Sequence, residues 1–229
     1  MPLFAQKLFL LNRWRHALAG WLCLVGVAGL VHAQGSAQGP AMVVQQVSAS
    51  AWYVEGQSAL GTPANQNFIS NAAFVVTPAG VVVVDALGSP ALAERLLAEI
   101  RKITPLPVTQ VILTHYHADH IYGVQAFKAQ GARIMAHRAA RDYLNSDAAL
   151  IRLQASRETL APWINAQTHL VPADDWIEGT RDLVVGGVQF VLTPVGPSHT
   201  PEDVVVYLPQ EKVLFAGDLV FRNRVPYVG

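Results

Sequence analysis

Cysteine is nearly absent from this 229-residue chain, which carries one, Cys23. A single cysteine excludes an internal disulfide, and its place inside an N-terminal apolar stretch keeps it from serving as a metal thiolate or as a lipid-anchored cysteine. Charge is scarce as well. Asp, Glu, Lys and Arg together make up 14% of the chain and cancel to a formal net charge of zero, so the basic balance usual in a nucleic-acid binder is missing. Charge runs, low-complexity blocks and internal repeats are absent too. Apolar residues, in contrast, reach 52%. That is ample for a packed core and argues against a disordered chain.

The N-terminus is patterned for export. Lys7, Arg13 and Arg15 precede an apolar stretch from Ala17 to Val31, and Val31-His32-Ala33 places small residues at the −3 and −1 positions of a cleavage site. The stretch, about 15 residues, falls short of the ~18 expected of a spanning helix. Residues 1–33 are therefore expected to be a secretory signal cleaved after Ala33, not a retained anchor. The mature protein is expected in the periplasm or medium, with no stable membrane association. Its 13 basic residues against 16 acidic ones give a net charge of −3. Residues 34–40 read as a flexible leader. No Pro/Gly-rich linker interrupts the remainder of the chain, so 41–229 reads as one domain.

Strand patterns come first: Val43–Val47, Ala51–Glu55, Asn67–Thr77 and Val81–Asp85, the last two joined by a Pro78-Ala79-Gly80 turn. The run Val81-Val82-Val83-Val84 lacks alternation, as a strand buried on both faces does. A helix comes next, capped by Ser89 with Pro90 in its first turn; Leu92, Leu96, Leu97 and Ile100 repeat at helical spacing and Arg101 and Lys102 close it. A strand over Val108–Leu113 leads into a loop, Thr114–His120. The pattern then predicts a helix from about Tyr122 to Gln130, a short strand Ala132–Ala136, and helical sequence through much of 138–161. From Asp182 to Phe215 strands return, with turns at Gly186-Gly187 and Pro209-Gln210-Glu211. Helices alternating with strands, then strands alone, indicate an α/β chain with layers around a mixed sheet.

The chemistry concentrates in Thr114-His115-Tyr116-His117-Ala118-Asp119-His120. Side chains two apart in extended backbone point the same way, so His115 and His117 can hold one ion together while Asp119 and His120 turn toward a second position. Imidazole nitrogen and carboxylate oxygen suit Zn²⁺. His137 and His169 match no ligand pattern and read as structural. Trp163, Trp176 and Tyr116 fit a substrate cleft or the core equally well.

This His-x-His-x-Asp-His string resembles the signature of the metallo-β-lactamase superfamily. Three further segments, in the family's order, extend the resemblance over most of the mature chain. Val81–Asp85 resembles its buried strand ending in an aspartate behind the ligands. Pro197-Ser198-His199-Thr200-Pro201 resembles the loop of its third histidine. Phe215-Ala216-Gly217-Asp218 resembles the strand end that presents a bridging carboxylate. The resemblance implies a four-layer αββα sandwich and a zinc site: His115, His117 and His199 for the first ion; Asp119, His120 and Asp218 for the second, with Asp218 bridging; and Asp85 supporting from behind. Asp119 and Asp218 are the implied catalytic residues. The implied reaction is attack by a metal-bound hydroxide on a small-molecule ester, thioester, lactone or lactam.

The family pattern also calls for a histidine downstream of Asp218, and none occurs after His199. The sequence is accordingly expected to be truncated at its C-terminus, with the sandwich incomplete and one zinc held better than two. The best-known zinc β-lactamases carry Cys where this chain has Asp218. The Asp form resembles glyoxalase II-like thioesterases, lactonases, and exported members associated with sulfur oxidation or quinoproteins. A β-lactamase proper, or a non-hydrolytic metal-binding or redox-partner protein on the same fold, is the alternative. The retained His117 favours zinc over the iron of flavodiiron relatives, and the mature charge disfavours the nuclease relatives. No nucleic-acid partner is expected.

Overall fold

The four valines of the unalternating run divide their side chains between two cores. In a computed structural model describing residues 39–223, every residue of the strand Gly80–Val84 is buried. Val81 and Val83 belong to one apolar cluster, Val82 and Val84 to another, as the two-residue period of a strand requires. Each fully buried valine contributes roughly 1.5–3 kcal/mol relative to an exposed one. The segment 1–33, expected to be a secretory signal, and most of 34–40, expected to be a leader, lie outside the described residues, as do 224–229.

That strand, β4, is the centre of a seven-stranded sheet ordered β1 to β7 in sequence: Val44–Gln46, Ala51–Val54, Ala72–Thr77, Gly80–Val84, Val108–Ile112, Arg133–His137 and Asp175–Ile177. The first four pair antiparallel; β4 through β7 pair parallel. Each parallel step is bridged by helix: α1 (Pro90–Ile103), then α2 (Ala118–Ile121) with α3 (Val124–Ala129), then α4 (Ala140–Leu144) with α5 (Asp147–Thr159). Ser89 Oγ accepts the Leu92 N–H at 3.3 Å to cap α1. The buried side of α1, with Leu92, Leu96 and Ile100, joins Phe127, Val81 and Val83 in the first core.

A second sheet, ordered β11-β10-β9-β8, is antiparallel throughout: β8 Arg181–Val185, β9 Val188–Pro194, β10 Val204–Leu208 and β11 Val213–Phe215. Gly186 and Gly187, at φ 56° and 86°, make the two-residue β8–β9 turn; both central positions of such a turn need positive φ. Phe190, Leu192, Val204, Val206 and Leu208 meet Val82, Val84, Ile112 and Met135 in the second core. The architecture is the expected α/β sandwich. Among the described residues it shows three of the four layers, helices, sheet and sheet, with no helix on the outer face of the second sheet.

Three local expectations differ. The strand expected over 67–77 begins at Ala72, opposite Val54 at the end of its partner β2, and the expected start at Asn67 lies in left-handed backbone (φ 62°). The loop expected through His120 already turns helical at Ala118, and the next helix is delayed to Val124. Gly123 separates the two: a Cβ there would lie 1.9 Å from the Ala86 carbonyl oxygen. The edge strand β7 has no counterpart in the sequence pattern.

Candidate metal centre

The candidate ligands gather where the C-terminal ends of β4 and β5 meet the loops of the second sheet. Asp85 comes directly after β4 in left-handed backbone, φ 62°, a region Asp tolerates better than most side chains. Its carboxylate accepts the Thr114 N–H and the Thr114 hydroxyl, both at 2.8 Å. Oδ2 also faces His120 Nδ1 at 2.9 Å. One buried carboxylate thus fixes the start of the histidine loop and the ring at its end.

This network selects the ring tautomers. The Thr114 hydroxyl donates to Asp85, so its oxygen accepts from His115 Nδ1–H at 3.0 Å. His120 Nδ1–H likewise donates to Asp85. In both rings Nε2 is left pointing into the site. His115 Nε2 and His120 Nε2 are buried and have no hydrogen-bond partner among the described residues, although His120 Nε2 approaches Asp218 Oδ1 at 3.2 Å. Buried polar nitrogens without partners are rare, and a metal cation would satisfy them. Second-layer hydrogen bonds that orient a ligand in this way are characteristic of metal-binding histidines.

Two sets of donor atoms lie within 4.8 Å of one another: His115, His117 and His199; and His115, His120 and Asp218. His117 Nδ1 and His199 Nε2 are 2.9 Å apart, and the His115 and His120 ring centroids 4.2 Å apart. Asp218 turns Oδ1 toward His120 and Oδ2 toward His199, the latter at 3.7 Å. Asp119 Oδ2 stands 3.6 Å from His120 Nε2 but joins neither set. The six residues singled out in the sequence therefore meet at one place. The grouping differs from the expected one, because His115 is common to both sets.

Protonation differs across the centre. Burial, reinforced by His120, His117 and His199, holds His115 well below the usual histidine range. Burial and then His199 lower His117. Both are thus neutral near pH 7, the form that binds metal. Burial also pulls on His120, but the Asp85, Asp119 and Asp218 carboxylates outweigh it and hold His120 well above the usual value. The negative environment that favours a proton on Nε2 equally favours a metal cation. The residues fit a divalent ion with nitrogen and oxygen ligands.

A cavity of about 520 Å³ opens beside His120 and Asp218, with Tyr53, Ile69, Ser70, Asn71, Phe221 and Arg222 among its walls. Ser70 donates its hydroxyl to the Asp119 carbonyl, which ties this wall to the histidine loop; nothing in the local sequence marks Ser70. Thr114 is the other residue whose role no sequence pattern marks. His137 and His169 join neither donor set. Tyr116 and Trp176 pack on each other, ring centroids 6.5 Å apart, and neither lines the cavity. The Trp163 indole N–H donates to the Pro63 carbonyl at 2.7 Å.

A sequence profile described as the metallo-beta-lactamase superfamily matches residues 66–229. A linear primary-alkylsulfatase from Pseudomonas sp. (strain ATCC 19151) is 28% identical, over 67% of this chain and 34% of its own length. A metallo-beta-lactamase type 2 from Bacillus cereus is 28% identical, over 77% of this chain and 60% of its own. The chain therefore spans less than two thirds of either relative. Among solved structures, a metallo-beta-lactamase from Pontibacter korlensis superposes with a TM-score of 0.62 at 25% identity, covering 81% of this chain and 75% of that one.

Proposed function

The chain belongs to the metallo-β-lactamase superfamily, and from that premise we propose that it is an exported zinc-dependent hydrolase acting on a small-molecule ester, thioester, lactone or lactam. The observation that carries the reading is a pair of buried, inward-facing imidazole nitrogens: His115 Nε2 has no partner among the described residues and His120 Nε2 faces only the Asp218 and Asp119 carboxylates, while their Nδ1 atoms are fixed by Thr114 and Asp85. His115, His117 and His199 would hold one ion, and His120 and Asp218, with Asp119 beside them, would hold a second, His115 lying close enough to serve either. Bound zinc supplies an acidified water and polarises the bond to be cleaved.

The chain's own groups do the rest. Asp85 keeps His120 and, through Thr114, His115 turned inward. Asp119, whose carboxylate stands beside His120 without joining either donor set, would be the group free to accept a proton there, while Asp218 would help to hold the metal. The cavity beside Asp218 receives the substrate, and its mixture of Tyr53, Ile69 and Phe221 with Asn71 and Arg222 suits a molecule with one apolar and one polar end. The similarity to a linear primary-alkylsulfatase adds an alkyl sulfate ester to the substrates worth testing. Among the others, Asp218 ranks the thioester and lactone above the lactam. The mature protein, beginning at Gln34, is released into the periplasm or medium.

Elemental analysis of the purified protein, then assay of nitrocefin, a lactone, a glutathione thioester and an alkyl sulfate, tests the reading. Zinc with turnover of at least one substrate is expected. A folded protein that takes up no zinc when supplied with it overturns the assignment; a zinc-loaded protein inert toward all four supports a non-hydrolytic role. Intact mass of the exported protein tests cleavage after Ala33.

A further inference from the structure

The two loops that supply the first donor set are joined by three consecutive residues. Glu202, Asp203 and Val204 enter β10 immediately after the His199 loop, and Glu202 and Asp203 are buried, 5% and 3% exposed. Charged side chains are almost never so buried unless they are paired. Neither forms an ion pair among the described residues; each is spent on backbone or hydroxyl donors of the site's own loops.

Glu202 Oε1 accepts the Tyr116 N–H at 3.2 Å. Val204 N–H donates to the Thr114 carbonyl at 2.9 Å. These are the two peptide groups that flank His115, one on each side. The backbone of the histidine common to both donor sets is therefore held in both flanking planes by residues 202 and 204. Between them Asp203 faces the other way. Its Oδ2 accepts the Thr200 N–H at 2.7 Å and its Oδ1 the Thr200 hydroxyl at 2.8 Å, closing the turn that carries His199. Its own carbonyl accepts the Val195 N–H at 2.9 Å, tying that turn back to the end of β9. The far end of Tyr116 is fixed as well, its hydroxyl donating to the Val171 carbonyl at 3.2 Å.

We propose that Glu202 and Asp203 are a positioning pair that sets the distance between His115 and His199, Glu202 by gripping the histidine loop and Asp203 by gripping the His199 turn. The pair rests on the zinc reading of the same site. It acts through hydrogen-bond acceptors on adjacent residues, so its work is geometric: the donor atoms are already placed when the ion arrives. Removing the acceptor of Glu202 frees the Tyr116 amide and loosens His115 without touching any ligand.

Zinc affinity of the full chain, read by competition with a chromophoric chelator beside the melting temperature of the metal-free protein, tests the pair. Glu202→Gln keeps an acceptor oxygen at the same position and is expected to bind zinc like the wild type. Glu202→Met fills similar space without an acceptor and is expected to bind about tenfold or more weakly, the scale usual for lost support behind a metal ligand. Thr200→Val removes only the hydroxyl bond to Asp203 and is expected to lose a smaller factor, about fivefold. Wild-type affinity in both Glu202→Met and Thr200→Val, whatever their melting temperatures, overturns the proposal. So does a Glu202→Gln variant as weak as Glu202→Met. If Glu202→Met does not fold, Thr200→Val alone decides. A wild type that binds no zinc overturns the zinc reading itself, an outcome distinct from all of these.

Discussion

The two sheets of this protein are made of similar residues and treated differently. β4, in the first sheet, is buried at every position, because helices pack on one face and the second sheet on the other. β8 alternates between partly buried and exposed residues, and β10 between buried and more open ones; Val184 and Leu214 are 64% and 54% exposed. The metal centre stands at the seam. The first sheet contributes Asp85 and the loop with His115, His117, Asp119 and His120, while the second contributes His199 and Asp218 on its connections. The two sheets thus hold the same site with unequal support: a wall fully packed on both faces on one side, loops of a half-covered sheet on the other.

The inequality can be broken most severely at the ligands. His115 belongs to both donor sets and His199 to one. His115→Ala is expected to leave no zinc after dialysis against a weak chelator, whereas His199→Ala retains some through His115, His120 and Asp218. Equal zinc content in the two variants would show that the sheets contribute alike. Next in size is Asp85→Ala. It strips the partners from the Thr114 N–H and from His120 Nδ1, and it puts alanine in left-handed backbone. Unfolding of the metal-free protein in urea should show a loss of about 3 kcal/mol, the cost of buried groups left unpaired; a change under about 1 kcal/mol would remove Asp85 from its supporting role. The smallest effects sharpen the contrast between the sheets themselves. Val83→Ala, at a fully buried position, is expected to cost about 2 kcal/mol or more. Val184→Ala, on the open face of the second sheet, should stay within about 0.5 kcal/mol. Similar losses at the two valines, measured by the same unfolding curves, would mean that the outer face of the second sheet is covered in solution.

How much of the molecule is legible in its sequence depends on the range of the forces involved. The valine run announces a strand buried on both faces, the Ser89-Pro90 start announces α1, and Gly186-Gly187 announces a two-residue turn, because each signal lies within a few neighbouring residues. The histidine string is legible for the same reason: four donors share one short loop. The break at Gly123 is not, since Ile121, Val124 and Phe127 continue a helical spacing across it and the Gly123 N–H goes instead to the Leu87 carbonyl, 36 positions earlier. Nor is β7, whose three residues become a strand only by pairing with Met135–His137. The sharing of His115 between both donor sets is equally hidden, because it depends on how far His120 swings back toward His115 once Asp85 holds its ring.

Thr114 carries a consequence for how this site can vary. Its N–H and hydroxyl go to Asp85, its oxygen receives His115, and its carbonyl receives Val204. Its side chain stands where a Cβ on Gly217 would come within 2.7 Å. Every polar atom of one small residue is engaged, with three different parts of the site. A library randomised at position 114 should therefore yield few active clones, serine foremost among them, since serine alone of the other small side chains brings a hydroxyl to the same place. Any larger change at position 217 would have to be met by a smaller side chain at 114, and would cost the hydroxyl that serves Asp85 and His115.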